Sequence, residues 1–347
     1  MAARAIKKDR LDAFLSDLLA GYVVIAPKKE HDDVCFGVVE DPSEVELDYT
    51  NTTVSPKEFF FPQSETLLRY DVSAKVPEFS TVMPEDQRTL VFGIRPCDSN
   101  ALVCVDKPYQ EEFTDPHYIR RRSQAAIVTL ACNEACNQYA FCDSINAGPC
   151  AQTGFDLQLY DLDGQYLVDV GSQKGDELLS GSSNLFTDAP DKLVEAKDAA
   201  MAHAVETLSK SVHLDNVPRN LGAFFEDTRM WEQFAETCIR CGGCNYICPT
   251  CHCFNVTDYT EANGEGQRVR NWDSCMMGGF ARMTGPHYVR ENVFQRIRQR
   301  VYHKFHIYPQ RFGLFGCTGC GRCTASCPVG IDLAEILNMV DSRTGGA

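Results

Sequence analysis

The chain has 347 residues, 44% of them hydrophobic and 23% charged, with a formal charge of −15. That balance belongs to a globular chain with room for two or three cores, and the acidity argues against nucleic acid, whose binding rests on neutralising phosphates. The most apolar runs, Gly21–Pro27 and Ala125–Cys132, are strand-sized, so no membrane span is expected. The opening Met1-Ala2-Ala3-Arg4-Ala5-Ile6-Lys7-Lys8 lacks an apolar signal segment, which with eighteen cysteines predicts a reduced, cytoplasmic setting.

Ile6, Leu11, Phe14, Leu15, Leu18 and Leu19 predict a helix over residues 6–19, followed by a strand through Tyr22–Ala26. Further strands are expected at Leu90–Ile94, running into Arg95-Pro96-Cys97-Asp98 and the apolar stretch Ala101–Val105, and at Ala126–Leu130, ending on Cys132. Strands that finish on polar or Cys-bearing loops, with helices between them, read as an α/β domain that presents its chemistry beyond the strand ends. Residues 156–170, with Gly164 near the middle, read as a hairpin. Gly171–Pro190 reads as a Gly/Ser-rich connector, and Ala189–Ser211 as a helix. A second region opens near Trp231, at the end of another helix.

Two runs in that region carry the most specific signal: Cys238, Cys241, Cys244, Cys248-Pro249 and Cys317, Cys320, Cys323, Cys327-Pro328. Both are C-x2-C-x2-C-x3-C-P, the spacing with which two-cluster ferredoxins hold paired [4Fe–4S] centres, the fourth Cys of each run serving the other cluster. Crossed ligation assigns Cys238, Cys241, Cys244 and Cys327 to one cluster, and Cys248, Cys317, Cys320 and Cys323 to the other. A zinc ribbon is the competing reading, but zinc takes four thiolates per site and needs neither the third closely spaced Cys nor the Pro. The expected architecture is an α/β domain over residues 1–225 followed by a dicluster ferredoxin-like domain over 226–347, with a long helical insert at about 254–316.

Sixty-eight residues separate Cys248 from Cys317, more than a compact two-cluster ferredoxin needs, and the insert is expected to fold over the clusters. Its helical stretch, about Glu291 to Phe305, carries Arg296, Arg300, His303 and Lys304 at three- and four-residue spacing. This basic stripe either tunes the charge of an anionic cluster, docks an acidic partner, or is a solvated face. Cys251, Cys253 and Cys275 read as groups around a cluster or as core, Asp273 as a cluster neighbour or a cap, and His252 as structurally satisfied. No G-x-G-x-x-G follows a strand and no P-loop is present, so neither flavin nor nicotinamide is expected on this chain.

Phe59-Phe60-Phe61-Pro62-Gln63-Ser64-Glu65, Gly93-Ile94-Arg95-Pro96-Cys97-Asp98, Cys248-Pro249-Thr250-Cys251-His252-Cys253-Phe254, Trp272-Asp273-Ser274-Cys275-Met276 and Arg298-Gln299-Arg300-Val301-Tyr302-His303-Lys304 together resemble one family. It comprises the iron–sulfur beta subunits of cytoplasmic sulfhydrogenases and the A subunits of anaerobic sulfite reductases, with related subunits in flavin oxidoreductase–heterodisulfide reductase complexes. The resemblance implies an electron-transfer subunit of a hetero-oligomer in an anaerobe. It would relay electrons between a flavoprotein that binds NAD(P)H and a terminal hydrogenase, sulfite reductase or heterodisulfide reductase.

The resemblance also implies a third iron–sulfur centre, held by Cys97, Cys132, Cys142 and Cys150, with Cys136 as the alternative fourth ligand. Ala140 departs from the family, which more often has a Cys there; the other reading is that these are buried or free thiols. A stand-alone oxidoreductase, binding flavin or a small substrate in the N-terminal domain and using Cys97 or Asp98, is the alternative function.

Overall fold

The computed structural model describes residues 3–73, 75–285 and 287–343. Its first half is built on strands β1 (Arg4–Lys7), β2 (Val23–Glu30), β3 (Asp33–Val39), β4 (Ser64–Asp71), β5 (Glu78–Thr81), β6 (Thr89–Ile94), β7 (Ala125–Leu130), β8 (Leu157–Leu162), β9 (Gln165–Val170) and β10 (Thr187–Asp188). Between them lie helices α1 (Leu11–Leu19), α2 (Pro96–Tyr109), α3 (Pro116–Gln124) and α4 (Gln173–Gly181), with α5 (Asp191–Glu206) after the last strand.

Eight strands form one mixed sheet in the order β10-β1-β9-β8-β7-β6-β2-β3, in which β2, β6, β7 and β8 run parallel and the rest pair antiparallel. Side chains alternate across a strand, and the alternation is visible here. Val24, Ala26, Leu90, Phe92, Ala126 and Val128 share a core with Phe14, Leu15 and Leu18 of α1, whereas Ile25, Val91 and Ile127 share one with Leu102, Val105 and Tyr118 of α2 and α3. Both faces are therefore covered, which is why the central strands are almost continuously apolar. The expected hairpin is β8–β9; Asp163 and Gly164, both at positive φ, make the two-residue turn whose twist suits the strands.

Three local expectations change. Ile6 lies in β1, not in a helix, and α1 starts only at Leu11. The connector over 171–190 contains α4, begun where the Ser172 hydroxyl accepts from the Gly175 N–H, because Leu178 has an apolar core to fill. The insert, expected to be helical, begins with two strands.

The second half holds α6 (Val217–Ala223), α7 (Thr228–Ala235), α8 (Gly243–Tyr246), strands β11 (Phe254–Thr260) and β12 (Glu265–Trp272), α9 (Val293–Tyr302), a π-turn over His303–Ile307, α10 (Tyr308–Phe312), α11 (Arg322–Ala325) and α12 (Leu333–Asp341). Its core gathers Val217, Leu221, Trp231, Ile297, Val301, Phe305 and Leu337, with Cys238, Cys244, Cys317 and Cys323 packed against it. The halves also share a sheet. β12 pairs with β4 in an antiparallel array of order β11-β12-β4-β5. Arg270 of β12 is buried at 2% exposure, where its Nε donates to Glu65 of β4 at 2.9 Å and its guanidinium also meets Asp115.

Candidate metal centres

The two cysteine runs fold into matching loops. Cys238-Ile239-Arg240-Cys241-Gly242 and Cys317-Thr318-Gly319-Cys320-Gly321 place their third and fifth residues in the left-handed region, with φ of 63° and 74° in the first and 61° and 74° in the second. Each loop then runs into a four-residue helix, α8 or α11. Glycine is required at Gly321, where a Cβ would stand 2.8 Å from the Ala140 N, and at Gly319, where it would stand 2.8 Å from the Cys142 backbone. Arg240, at the position matching Gly319, takes the left-handed conformation as a non-glycine residue on an exposed turn.

The thiols of the runs are exchanged between the loops. Cys327 lines one cavity with Cys238, Cys241 and Cys244, which Cys323 also borders, while Cys248 lies among Cys317, Cys320 and Cys323. Burial pushes the Cys244 and Cys317 thiols up to about 11 and Cys320 further; such thiols give up protons readily only when a metal or a cation takes the charge. Cys248 is held well below the ordinary thiol value, first by a hydrogen bond from Cys251 and then by Lys304 and Arg300. Backbone donors aim at sulfur in the second run, at one thiol of each set: Gly319 N lies 3.4 Å from Cys317 Sγ, and Ile331 N lies 3.3 Å from Cys327 Sγ. The buried Thr318 hydroxyl has no hydrogen-bond partner. Thiolate sets with inward N–H donors and an unpartnered hydroxyl suit sulfide-rich cubanes.

The basic stripe points inward. Arg296, Arg300 and Lys304 are 8%, 8% and 4% exposed. Arg296 donates to the Arg290 and Glu291 carbonyls at 3.0 and 2.8 Å, and so fastens the loop before α9. Arg300 donates to Asn245 Oδ1 at 2.8 Å and to the Cys244 carbonyl at 3.2 Å. The π-turn after α9 carries Lys304 inward, where Nζ lies 3.4 Å from Cys248 Sγ and 2.7 Å from both Thr250 Oγ1 and the Gly316 carbonyl. Burial opposes the Lys304 charge, but the Cys248 and Cys251 thiols more than offset it and hold the ammonium charged. The stripe is thus neither a solvated face nor a docking face.

Lys57, which the sequence reading missed, adds a second buried ammonium. It is 3% exposed, donates to the Cys248 and Cys251 carbonyls at 2.7 and 2.8 Å, and sits 4.3 Å over the Trp272 ring. Its only signal was its place two residues before Phe59-Phe60-Phe61. Cys251, Cys253 and Cys275 gather round a small cavity with His252, Arg300 and Lys304. Asp273 accepts from the Ser274 N–H at 2.7 Å, and His252 Nδ1 meets the Thr250 carbonyl at 3.0 Å.

In the first half, the loops after β6 and β7 bring Cys97, Cys132, Cys136 and Cys142 around one cavity, which Cys320 also borders. Cys150 is not among them. It packs instead with Ala5, Tyr160 and Leu193 on the far side of β8, because the chain has by then turned into that strand's own core. Cys136, the alternative fourth residue, lines the cavity where Cys150 does not. Ala140 is fully buried, and its backbone N lies where a side chain on Gly321 would have to go. Arg95 reaches into the cavity at 7% exposure: Nη1 donates to the Ala131 carbonyl at 3.0 Å, Nε has no partner, and among the described residues no carboxylate pairs with it. A buried guanidinium facing four thiols calls for negative charge there, and that donor set fits a further cluster.

Asp98 and Arg322 tie this cavity to the second loop. Arg322 Nη1 and Nη2 donate to Asp98 Oδ1 and Oδ2 at 2.6 and 2.7 Å, and the two side chains are 3% and 1% exposed. Asn137 completes the link, donating to Cys136 Sγ at 3.3 Å and to the Cys320 carbonyl at 2.9 Å.

Paired loops, exchanged fourth cysteines and buried cations beside them define an electron-transfer protein of the dicluster iron–sulfur class. Residues 237–331 match the 4Fe-4S dicluster domain family. Sulfhydrogenase 2 subunit beta of Pyrococcus furiosus is 31% identical over 317 residues, covering 91% of this chain and 92% of that relative. The chain belongs to the family of sulfhydrogenase beta subunits. No solved structure matches it, and no helix among the described residues is long and apolar enough to cross a membrane.

Proposed function

We propose that this chain is the electron relay of a cytoplasmic hetero-oligomeric oxidoreductase, linking a flavoprotein that handles NAD(P)H to a terminal redox enzyme of hydrogenase, sulfite reductase or heterodisulfide reductase type. Cys238, Cys241, Cys244 and Cys327 would hold one [4Fe–4S] cluster, and Cys248, Cys317, Cys320 and Cys323 the other. Cys97, Cys132, Cys136 and Cys142 would hold a third. Bound clusters supply one-electron chemistry with no bond made on the polypeptide.

The protein's own residues set the conditions for that traffic. Lys304 and Arg300 place positive charge beside Cys248, and Lys57 Nζ is held on its carbonyl, which favours the more negative, reduced state there. Asn137 and the Asp98–Arg322 pair hold the Cys136 and Cys320 loops together, keeping the two sites at a fixed separation.

The observation that carries this reading is the exchange of Cys248 and Cys327 between the loops, a pattern that crossed ligation of two cubanes demands. The test is an iron and acid-labile sulfide count on the anaerobically purified chain, beside its reduced EPR spectrum. About 12 iron atoms per chain are expected from three cubanes, and about 8 would remove the third. A count near 2 with zinc present would sink the relay altogether.

A further inference from the structure

Of the eighteen cysteines, Cys241 alone is exposed; all the others are buried or half-buried. It stands at the mouth of the cavity that it shares with Cys238, Cys244 and Cys327. The chain around it turns outward: Ile239 is 60% exposed, and Arg240 is exposed. Ser326 and Pro328 of the second loop, also exposed, border the same cavity. Next to the mouth, Met277 packs on Gly242 and leads into a segment that carries the exposed Met283 and Val289.

The charge here runs against the rest of the molecule. Residues lining this cavity include two arginines, Arg240 and Arg300, and no carboxylate, in a chain of formal charge −15. Arg240 forms no ion pair among the described residues, although the chain has 48 acidic side chains to draw on. An exposed apolar patch with a polar rim marks an interaction surface, and a lone positive rim selects a partner of opposite sign. Neither of the other thiol sets has an exposed member, so this mouth is where a thiol of the proposed relay reaches solvent.

We infer that the Cys241 mouth is the docking surface for a one-electron carrier or subunit whose contacting face is acidic, with Ile239 at the centre of the contact and Arg240 on its rim. This inference rests on the relay reading above and adds the port through which electrons cross.

The test uses the full chain, loaded and oxidised under anaerobic conditions, in a stopped-flow mixer. One reductant is reduced flavodoxin, a small acidic one-electron flavoprotein; the other is a sulfonated viologen of zero net charge, which needs no docking surface. The readout is the ratio of the two rates of cluster bleaching. In the unaltered chain the flavodoxin rate is expected to fall about tenfold from low to physiological salt while the viologen rate holds. Arg240→Glu is expected to lower the ratio about tenfold or more. Ser326→Glu, across the mouth, is expected to do the same, so the result does not depend on the Arg240 turn alone. A ratio unchanged in both variants, with no salt dependence, overturns the acidic docking face and leaves an uncharged or self-associating surface in its place. A chain that takes up no iron–sulfur at all brings down the relay reading and this port with it; a loaded chain with an unchanged ratio brings down the port alone.

Discussion

The Lys304 ammonium lies 3.4 Å from the sulfur of Cys248, in a place that is 4% exposed. A unit charge at about 4 Å is worth about 4 kcal/mol at an effective dielectric of about 20, and less where the opposing charge is spread over a cluster. For one electron about 59 mV corresponds to about 1.4 kcal/mol. Lys304→Met is therefore expected to lower one reduction potential by on the order of 100 mV, read by EPR-monitored redox titration. Arg296→Met removes a cation of the same stripe whose hydrogen bonds go to the Arg290 and Glu291 carbonyls and to no cysteine. It should leave both potentials nearly unchanged, and equal shifts in the two variants would refute a role specific to Lys304.

Cys136 and Cys150 separate the two versions of the third centre. Cys136→Ser is expected to reduce the iron content by about four atoms per chain, whereas Cys150→Ser keeps it. The reverse result would mean that the loop from Cys132 to Cys142 rearranges around iron.

Asp98 and Arg322 form a buried, doubly hydrogen-bonded pair. Removing one member of such a pair strands the other's charge and costs about 3–5 kcal/mol. Asp98→Asn should lower the thermal midpoint and speed the loss of iron from the chain on dilution into chelator. An unchanged midpoint would show that the loops are held by other contacts.

Arg270 binds the insert to the first half through Glu65 and Asp115. Arg270→Met leaves the Glu65 carboxylate, 7% exposed, without that partner, although Arg121 remains 2.9 Å away. The expected cost is about 2–3 kcal/mol, moderated by Arg121, with faster amide exchange over Phe254–Trp272. Protection that stays at the unaltered level would show the sheet to be held by its backbone ladder alone.

Much of this architecture was legible in local pattern. The parallel strands at Thr89–Ile94 and Ala125–Leu130 are apolar runs ending on Cys-bearing loops, and the β8–β9 turn is a short-range Asp-Gly signal. α4 was hidden because its Gly and Ser residues imitate a linker, while Leu178 and Leu179, which dock it, are too few to show a helical period. The strands of the insert were hidden because β11 is exposed along nearly its whole length, so no alternation marks it; it is a strand because β12 lies beside it.

The cysteine spacing by itself marked residues 237–331 as a 4Fe-4S dicluster domain, since each run's pattern is complete within a dozen residues. The four-residue spacing of Arg296, Arg300 and Lys304 likewise placed them on one stripe. Only the tertiary structure decided which way that stripe faces, because a charged stripe reads as solvated unless buried thiols lie opposite it. The same holds for the cavity that Cys136 lines and Cys150 does not, and for the joining of β4 to β12. Each depends on contacts between residues far apart in sequence, where no local period records the distance.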